Sequence, residues 1–165
     1  MLANFRIYYI FTCISLGLIA SATTGCTSSP PAPAMQTPAI EPTVATHPGV
    51  QVATAMLGAP YHYGGSSPRG FDCSGLVYYA FREAGIPVPR TTGAQLRHAQ
   101  PIPPSDILPG DLLFFRQRFS RMSHVGIYVG DGWFIHAPSR GKRVSYESMQ
   151  SSYWKPRLVA AGRYN

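Results

Sequence analysis

The stretch His124-Val125-Gly126-Ile127-Tyr128-Val129-Gly130-Asp131-Gly132-Trp133-Phe134-Ile135-His136-Ala137 decides the fold class. Val125, Ile127 and Val129 alternate with Gly126, Tyr128 and Gly130, the period of two expected of a half-buried strand. Gly130-Asp131-Gly132 is a turn triplet, so His124 to Val129 and Trp133 to Ala137 are expected to pair as an antiparallel hairpin. The alternation puts His124 on one face with Gly126 and Tyr128. His136 lies in the partner strand, placed to pair across the hairpin. Upstream, Leu112 to Phe115 follows the turn Pro109-Gly110-Asp111 and reads as a further strand; downstream, Leu158 to Gly162 reads as the last. Before these strands the pattern is helical. Val50 to Leu57 reads as a short helix ended by Gly58, and Pro60 to Phe71 as a loop rich in Gly, Tyr and Pro. Asp72 suits the N-cap of a helix through Leu76, Val77, Ala80 and Phe81, closed by Gly85. Thr91 or Thr92 is placed to cap a second short helix to about Ala99. Helices first and antiparallel strands afterwards give an α+β domain.

Outward from that core the chain changes character. Its 165 residues leave room for one domain. Arg6 precedes an apolar run from Ile7 to Ala20, which falls short of the ~20 residues a membrane-spanning helix needs and reads as an export signal. Two cleavage readings stay open. Ala20-Ser21-Ala22 has the small-x-small form of a general signal peptidase site, and Thr24-Gly25-Cys26 resembles a bacterial lipobox in which Cys26 is lipidated. We assign 1–26 to the signal and lipobox, 27–47 to a disordered tether rich in Ser, Pro, Thr and Ala, and 48–165 to the folded domain. The net charge is +7, with twelve Arg and two Lys against seven acidic residues. Such a balance suits anionic surroundings such as wall polymers or lipid headgroups, and export argues against nucleic acid. Two basic clusters, Arg116, Arg118 and Arg121 and then Arg140, Lys142 and Arg143, fit solvated loops as well as substrate contact. His47, His62 and His98 have no visible partner.

Cysteine usage points to a reactive thiol. Cys13 leaves with the signal and Cys26 lies in the tether or carries lipid, so Cys73 stands alone in the domain of an exported chain. A sulfur at a helix N-terminus meets unpaired N–H groups and the positive dipole end, and a neighbouring imidazolium lowers a thiol pKa further. Gly75 is expected to keep the backbone open for close substrate approach. With His124 as base and His136 orienting it, Cys73 completes nucleophile, base and orienter. The bland alternatives are a buried structural cysteine and satisfied strand histidines. A zinc site from Cys73, His124 and His136 has the ligand count of a catalytic metal, but no fourth protein ligand is evident.

These residues sit in segments that carry a resemblance. Gly58-Ala59-Pro60-Tyr61-His62-Tyr63-Gly64-Gly65, Phe71-Asp72-Cys73-Ser74-Gly75-Leu76-Val77, Leu108-Pro109-Gly110-Asp111-Leu112, His124-Val125-Gly126-Ile127-Tyr128, Phe134-Ile135-His136-Ala137 and Tyr153-Trp154-Lys155 resemble the NlpC family of papain-like cell-wall cysteine peptidases. The resemblance covers nearly all of Pro48 to Asn165. It implies a papain-like α+β fold with the cysteine on a helix packed against an antiparallel sheet, and Cys73, His124 and His136 as catalytic triad. Tyr61 matches a tyrosine whose hydroxyl approaches the nucleophile. Asp72 and Ser74 match positions lining the substrate groove, and we group Arg90, another recurrent position, with them as substrate-binding. The short tether and the Tyr-Trp-Lys ending are most similar to small lipoprotein endopeptidases of Gram-negative bacteria, which open cross-links between D-Ala and meso-diaminopimelate; other branches cut between D-Glu and diaminopimelate. The resemblance implies a monomer that needs no cofactor or metal and acts on peptidoglycan peptides in the periplasm, held at the outer membrane by lipid on Cys26. The rival expectation is a non-catalytic peptidoglycan-binding or scaffolding lipoprotein on the same fold.

Overall fold

The computed structural model describes residues 47–116 and 124–165. The export signal, residues 27–46 of the tether, Cys26, Arg118 and Arg121 lie outside the described residues. Helix α1 (Pro48–Ala55) begins at His47, whose Nδ1 accepts the Gly49 N–H at 3.2 Å and whose ring packs on Phe81 at 5.5 Å. His47 therefore belongs to the folded part, as cap of its first helix. The Gly-rich stretch that follows holds a miniature antiparallel hairpin, β1 (Ser66–Ser67) with β2 (Gly70–Phe71). Helix α2 (Cys73–Glu83) follows at once, then α3 (Thr92–His98).

The remaining strands are β3 (Gln100–Ile102), β4 (Leu112–Phe115), β5 (His124–Gly130), β6 (Trp133–His136), β7 (Ser145–Ser148) and β8 (Leu158–Arg163). They form one six-stranded sheet in the order β3-β8-β4-β5-β6-β7, antiparallel throughout. The expected hairpin is β5 with β6, and the chain turns through Gly130, Asp131 and Gly132, all at positive φ. Glycine tolerates that conformation freely and Asp better than most residues. The two unexpected strands of this sheet, β3 and β7, are its edges. Edge strands need no apolar alternation, and Pro101 in β3 is tolerated because an edge leaves one side of the backbone unpaired.

Both sheet faces are covered, which is why Leu112, Leu113, Phe114 and Phe115 are all buried in an unbroken apolar run. On one face Val50, Leu76, Val77, Ala80 and Phe81 of α1 and α2 meet Leu112, Phe114, Val125, Ile127 and Ile135. The other face packs Leu113, Phe115 and Phe134 around Trp154. Each fully buried side chain of this size contributes about 1.5–3 kcal/mol. Across the sheet, Asp111 is 1% exposed and holds Arg163 through two oxygens at 2.6 and 2.7 Å, tying the start of β4 to the end of β8. The α+β architecture, helices packed on an antiparallel sheet with Cys73 opening a helix, is the one the sequence implies.

Candidate active site

Asp72 fixes the start of α2. Its Oδ1 accepts the Gly75 N–H at 2.6 Å, an N-cap bond that also sets the direction in which Cys73 leaves the helix. The same carboxylate holds Arg90 at 2.9 and 2.7 Å and the Ser74 hydroxyl at 3.2 Å, and Oδ2 accepts the Gly64 N–H at 3.0 Å. Arg90 also donates to Ser74 Oγ and to the Gly65 carbonyl. Burial alone would raise the Asp72 pKa, but the hydrogen bonds from Arg90 and the Gly75 N–H outweigh it and hold the carboxyl below its ordinary value. Asp72, Ser74 and Arg90 thus form one network flanking Cys73. Gly75 has a packing role within the fold. A Cβ there would collide with the Gly65 carbonyl oxygen, so the glycine lets the segment just before β1 close onto the helix start.

Cys73 is partly buried, and its sulfur lies 3.8 Å from the Thr92 hydroxyl. Burial pushes the thiol pKa up and the Asp72 carboxylate adds to the rise; hydrogen bonds from the Thr92 hydroxyl and from the Val125 and Ser74 backbone N–H groups pull it part of the way back. Desolvation thus outweighs the donors at the helix start, and the thiol pKa sits above its ordinary value rather than below it. The Val125 N–H is informative in another way: it sets the sulfur against β5 at the residue after His124. Tyr61 is near as well. Its phenol pKa is raised by burial and then by the Cys73 charge.

His124 and His136 form a pair. Their Nε2 and Nδ1 atoms are 2.8 Å apart, with the rings at 86°. Ile127 pairs with Ile135 and Tyr128 with Phe134, and continuing this register sets His136 opposite Gly126, diagonal to His124. Gly126 is needed there, since a Cβ would strike the Phe134 ring. Trp154 stacks on His124 at 5.0 Å and meets His136 edge-on at 5.2 Å, with Phe115 and Phe134 completing an aromatic surround. Burial in it lowers His124 to about 4, and burial with the neighbouring His124 and Lys142 charges lowers His136 to about 3. Both imidazoles are neutral at neutral pH. When His124 donates through Nε2–H to His136, its Nδ1 carries the lone pair of a base.

Arg143 donates to the Gly58 carbonyl at 2.8 Å, a structural tie, while Lys142 lines a cavity of about 390 Å³ with His136, Glu147 and Trp154. Arg116 is exposed. His98 bonds the Ala94 carbonyl at 2.8 Å, so it has a local partner after all. Among the described residues no group of three or more His, Cys, Asp or Glu side chains is arranged to hold a metal ion. Two site residues were not singled out from sequence: Trp154, noted only within a closing motif, and Thr92, read as a cap.

Comparison with known proteins adds the ancestry. The NlpC/P60 family profile matches residues 58–163. Murein DD-endopeptidase MepH of Escherichia coli K12 is 48% identical over 113 residues, covering 66% of this chain and 42% of that protein. Gamma-DL-glutamyl hydrolase of Bacillus subtilis 168 is 41% identical over 130 residues, covering 77% and 31% respectively. An NlpC/P60 family protein from Bacillus cereus ATCC 10987 has a similar fold, with TM-score 0.68 and 32% identity over 74% of this chain and 41% of that one. The chain spans less than half the length of these curated relatives. It belongs to the NlpC/P60 family.

Proposed function

We propose that this NlpC/P60 chain is a cysteine endopeptidase that hydrolyses amide bonds of peptidoglycan stem peptides or cross-links, with Cys73 as nucleophile, His124 as base and His136 as orienter. The observation that carries the reading is the 2.8 Å imidazole pair at the strand whose next residue, Val125, meets the sulfur. Two relatives named as endopeptidase or hydrolase support the reaction class.

The resting site is a neutral thiol beside a neutral imidazole pair. On substrate binding His124 Nδ1 takes the thiol proton as the sulfur bonds to the scissile carbonyl carbon. The resulting oxyanion forms near the start of α2, where backbone N–H groups, that of Cys73 included, are placed to donate to it; one such donor is worth ~3 kcal/mol. The His124 imidazolium then protonates the leaving nitrogen, the C–N bond breaks, and water activated by His124 hydrolyses the thioester. His136 holds His124 in the productive tautomer. Tyr61 borders the sulfur, and Asp72, Ser74 and Arg90 form the floor on which the stem peptide lies.

The D-Ala–meso-diaminopimelate bond is the one we assign, as in the small lipoprotein endopeptidases that the sequence resembles, and the relative named murein DD-endopeptidase is consistent with it. The relative named gamma-DL-glutamyl hydrolase makes the D-Glu–diaminopimelate bond the competing assignment. We further propose export to the periplasm and anchoring through lipid on Cys26, with the protein acting as a monomer. Mass spectrometry of murein digested by the purified chain tests the assignment. Products ending at D-Ala, with a freed diaminopimelate amine, are expected. Intact murein would favour a non-catalytic wall-binding lipoprotein and overturn the reading.

A further inference from the structure

We propose that the Thr92 hydroxyl is a working part of the catalytic centre, donating a hydrogen bond to the Cys73 sulfur as the thiolate forms, and that α3 is anchored so as to hold it there. The proposal rests on the reading of Cys73 as nucleophile.

The first observation is the contact itself, 3.8 Å from Thr92 Oγ1 to the sulfur, within hydrogen-bonding range for so large an acceptor. The hydroxyl is not spent on the helix: Thr91, not Thr92, occupies the N-cap of α3, and even Thr91 makes no side-chain cap bond. A threonine at the first turn of a helix ordinarily serves the backbone. Here the side chain turns to α2.

The second observation is that the segment carrying Thr92 is fastened on both sides of it to residues on both sides of Cys73. Two residues earlier, Arg90 bonds Asp72 at 2.9 and 2.7 Å and Ser74 Oγ at 3.0 Å. Three residues later, Gln95 reaches back with Nε2 to the Ser74 carbonyl at 3.0 Å and to the Pro89 carbonyl at 2.8 Å. Gln95 is fully buried, and its own backbone carbonyl is held by the Tyr164 hydroxyl at 2.6 Å. The Asp72–Arg90 and Ser74–Gln95 links bracket the Cys73–Thr92 contact, so the distance between sulfur and hydroxyl is set by the frame. Arg90 and Gln95 are positioning residues in this arrangement.

The third observation is the need for such a donor. The sulfur is poorly solvated, the Asp72 carboxylate stands beside it, and the imidazole pair carries no positive charge before proton transfer. Negative charge building on sulfur must be met by fixed dipoles. A hydroxyl suits this because it rotates: it accepts from S–H at rest and donates to S⁻ during attack. Thr92 keeps its own proton throughout, since the thiol proton passes to His124.

The test is the pH dependence of iodoacetamide alkylation, read by mass spectrometry at the Cys73 peptide of the full-length chain. Thr92→Val preserves shape without the hydroxyl, and Thr92→Ser restores the hydroxyl without the methyl. At a fixed pH below the thiol pKa, Thr92→Val should alkylate about tenfold more slowly, with its profile moved about one unit upward, and Thr92→Ser should stay within about twofold of wild type. Should the valine substitution disturb folding, as judged by circular dichroism, Thr92→Ala gives the same comparison. A hydroxyl-free variant with the wild-type alkylation profile would overturn the proposal, because a purely structural threonine would leave the sulfur unchanged. Wild-type protein that alkylates in a Thr92-dependent way yet releases no muropeptide would sink the enzymatic reading and leave the contact standing.

Discussion

At the scale of single residues, charge at the candidate site is governed by what surrounds it. Trp154, Phe115 and Phe134 remove water from His124 and His136, and that desolvation keeps both rings uncharged at neutral pH. A neutral ring has two tautomers, so the bond to His136 is what selects the one with a lone pair at Nδ1. His136→Ala should therefore lower kcat by roughly 10²–10⁴-fold while KM changes by about twofold or less. Steady-state kinetics on a soluble cross-linked muropeptide measures both. A fall confined to KM would mean that His136 binds substrate and does not orient the base. The pairing of His124 with His136 and the place of Cys73 at a helix start were legible in the sequence, because the two histidines fall in one hairpin and Asp72 marks the helix cap. Thr92 and Trp154 were not, since their roles exist only once α3 folds onto α2 and the chain after β7 returns to the sheet.

At the scale of elements, the start of α2 is a crowded junction. The Gly64–Gly65 segment before β1 is pulled onto it by Asp72, Arg90 and the backbone bond from Asp72 N–H to the Gly65 carbonyl at 3.0 Å. Gly75→Ala puts a methyl into that same carbonyl oxygen, with Asp72 Oδ1 also crowding it. Since backbone must move to relieve it, a loss of about 1–3 kcal/mol is expected, read as a lower urea midpoint with an unchanged m-value. Unchanged stability would show that the segment does not bear on the helix as described. The period-two pattern of β5, the Asp72 cap and the turn glycines made the helix–hairpin core readable from residue order alone. The strands β1, β2, β3 and β7 escaped because two are only two residues long, and the other two are polar or proline-bearing edges in which no burial pattern is imposed.

At the scale of the whole molecule, the buried imidazoles couple folding to acid. Their folded pKa values, about 4 and about 3, lie below the ordinary 6.5, so the unfolded chain binds protons first as pH falls. Stability from the two rings is complete above pH 6.5, declines below it and levels off once the folded rings also protonate. By pH 4.5 the loss is on the order of 2–3 kcal/mol per imidazole. Melting curves between pH 7 and pH 4.5 should show a steady fall in Tm, smaller in His136→Leu; a flat Tm would show that the rings are not desolvated. The same burial that weakens the fold in acid keeps the base unprotonated at neutral pH.

The most direct test of the central claim compares murein digestion by the wild-type chain with that by Cys73→Ala at equal, folded concentrations. Removing one sulfur atom should abolish muropeptide release while leaving the melting temperature nearly unchanged. Release at an undiminished rate would contradict the account, because no other described side chain has been assigned the attack on the amide.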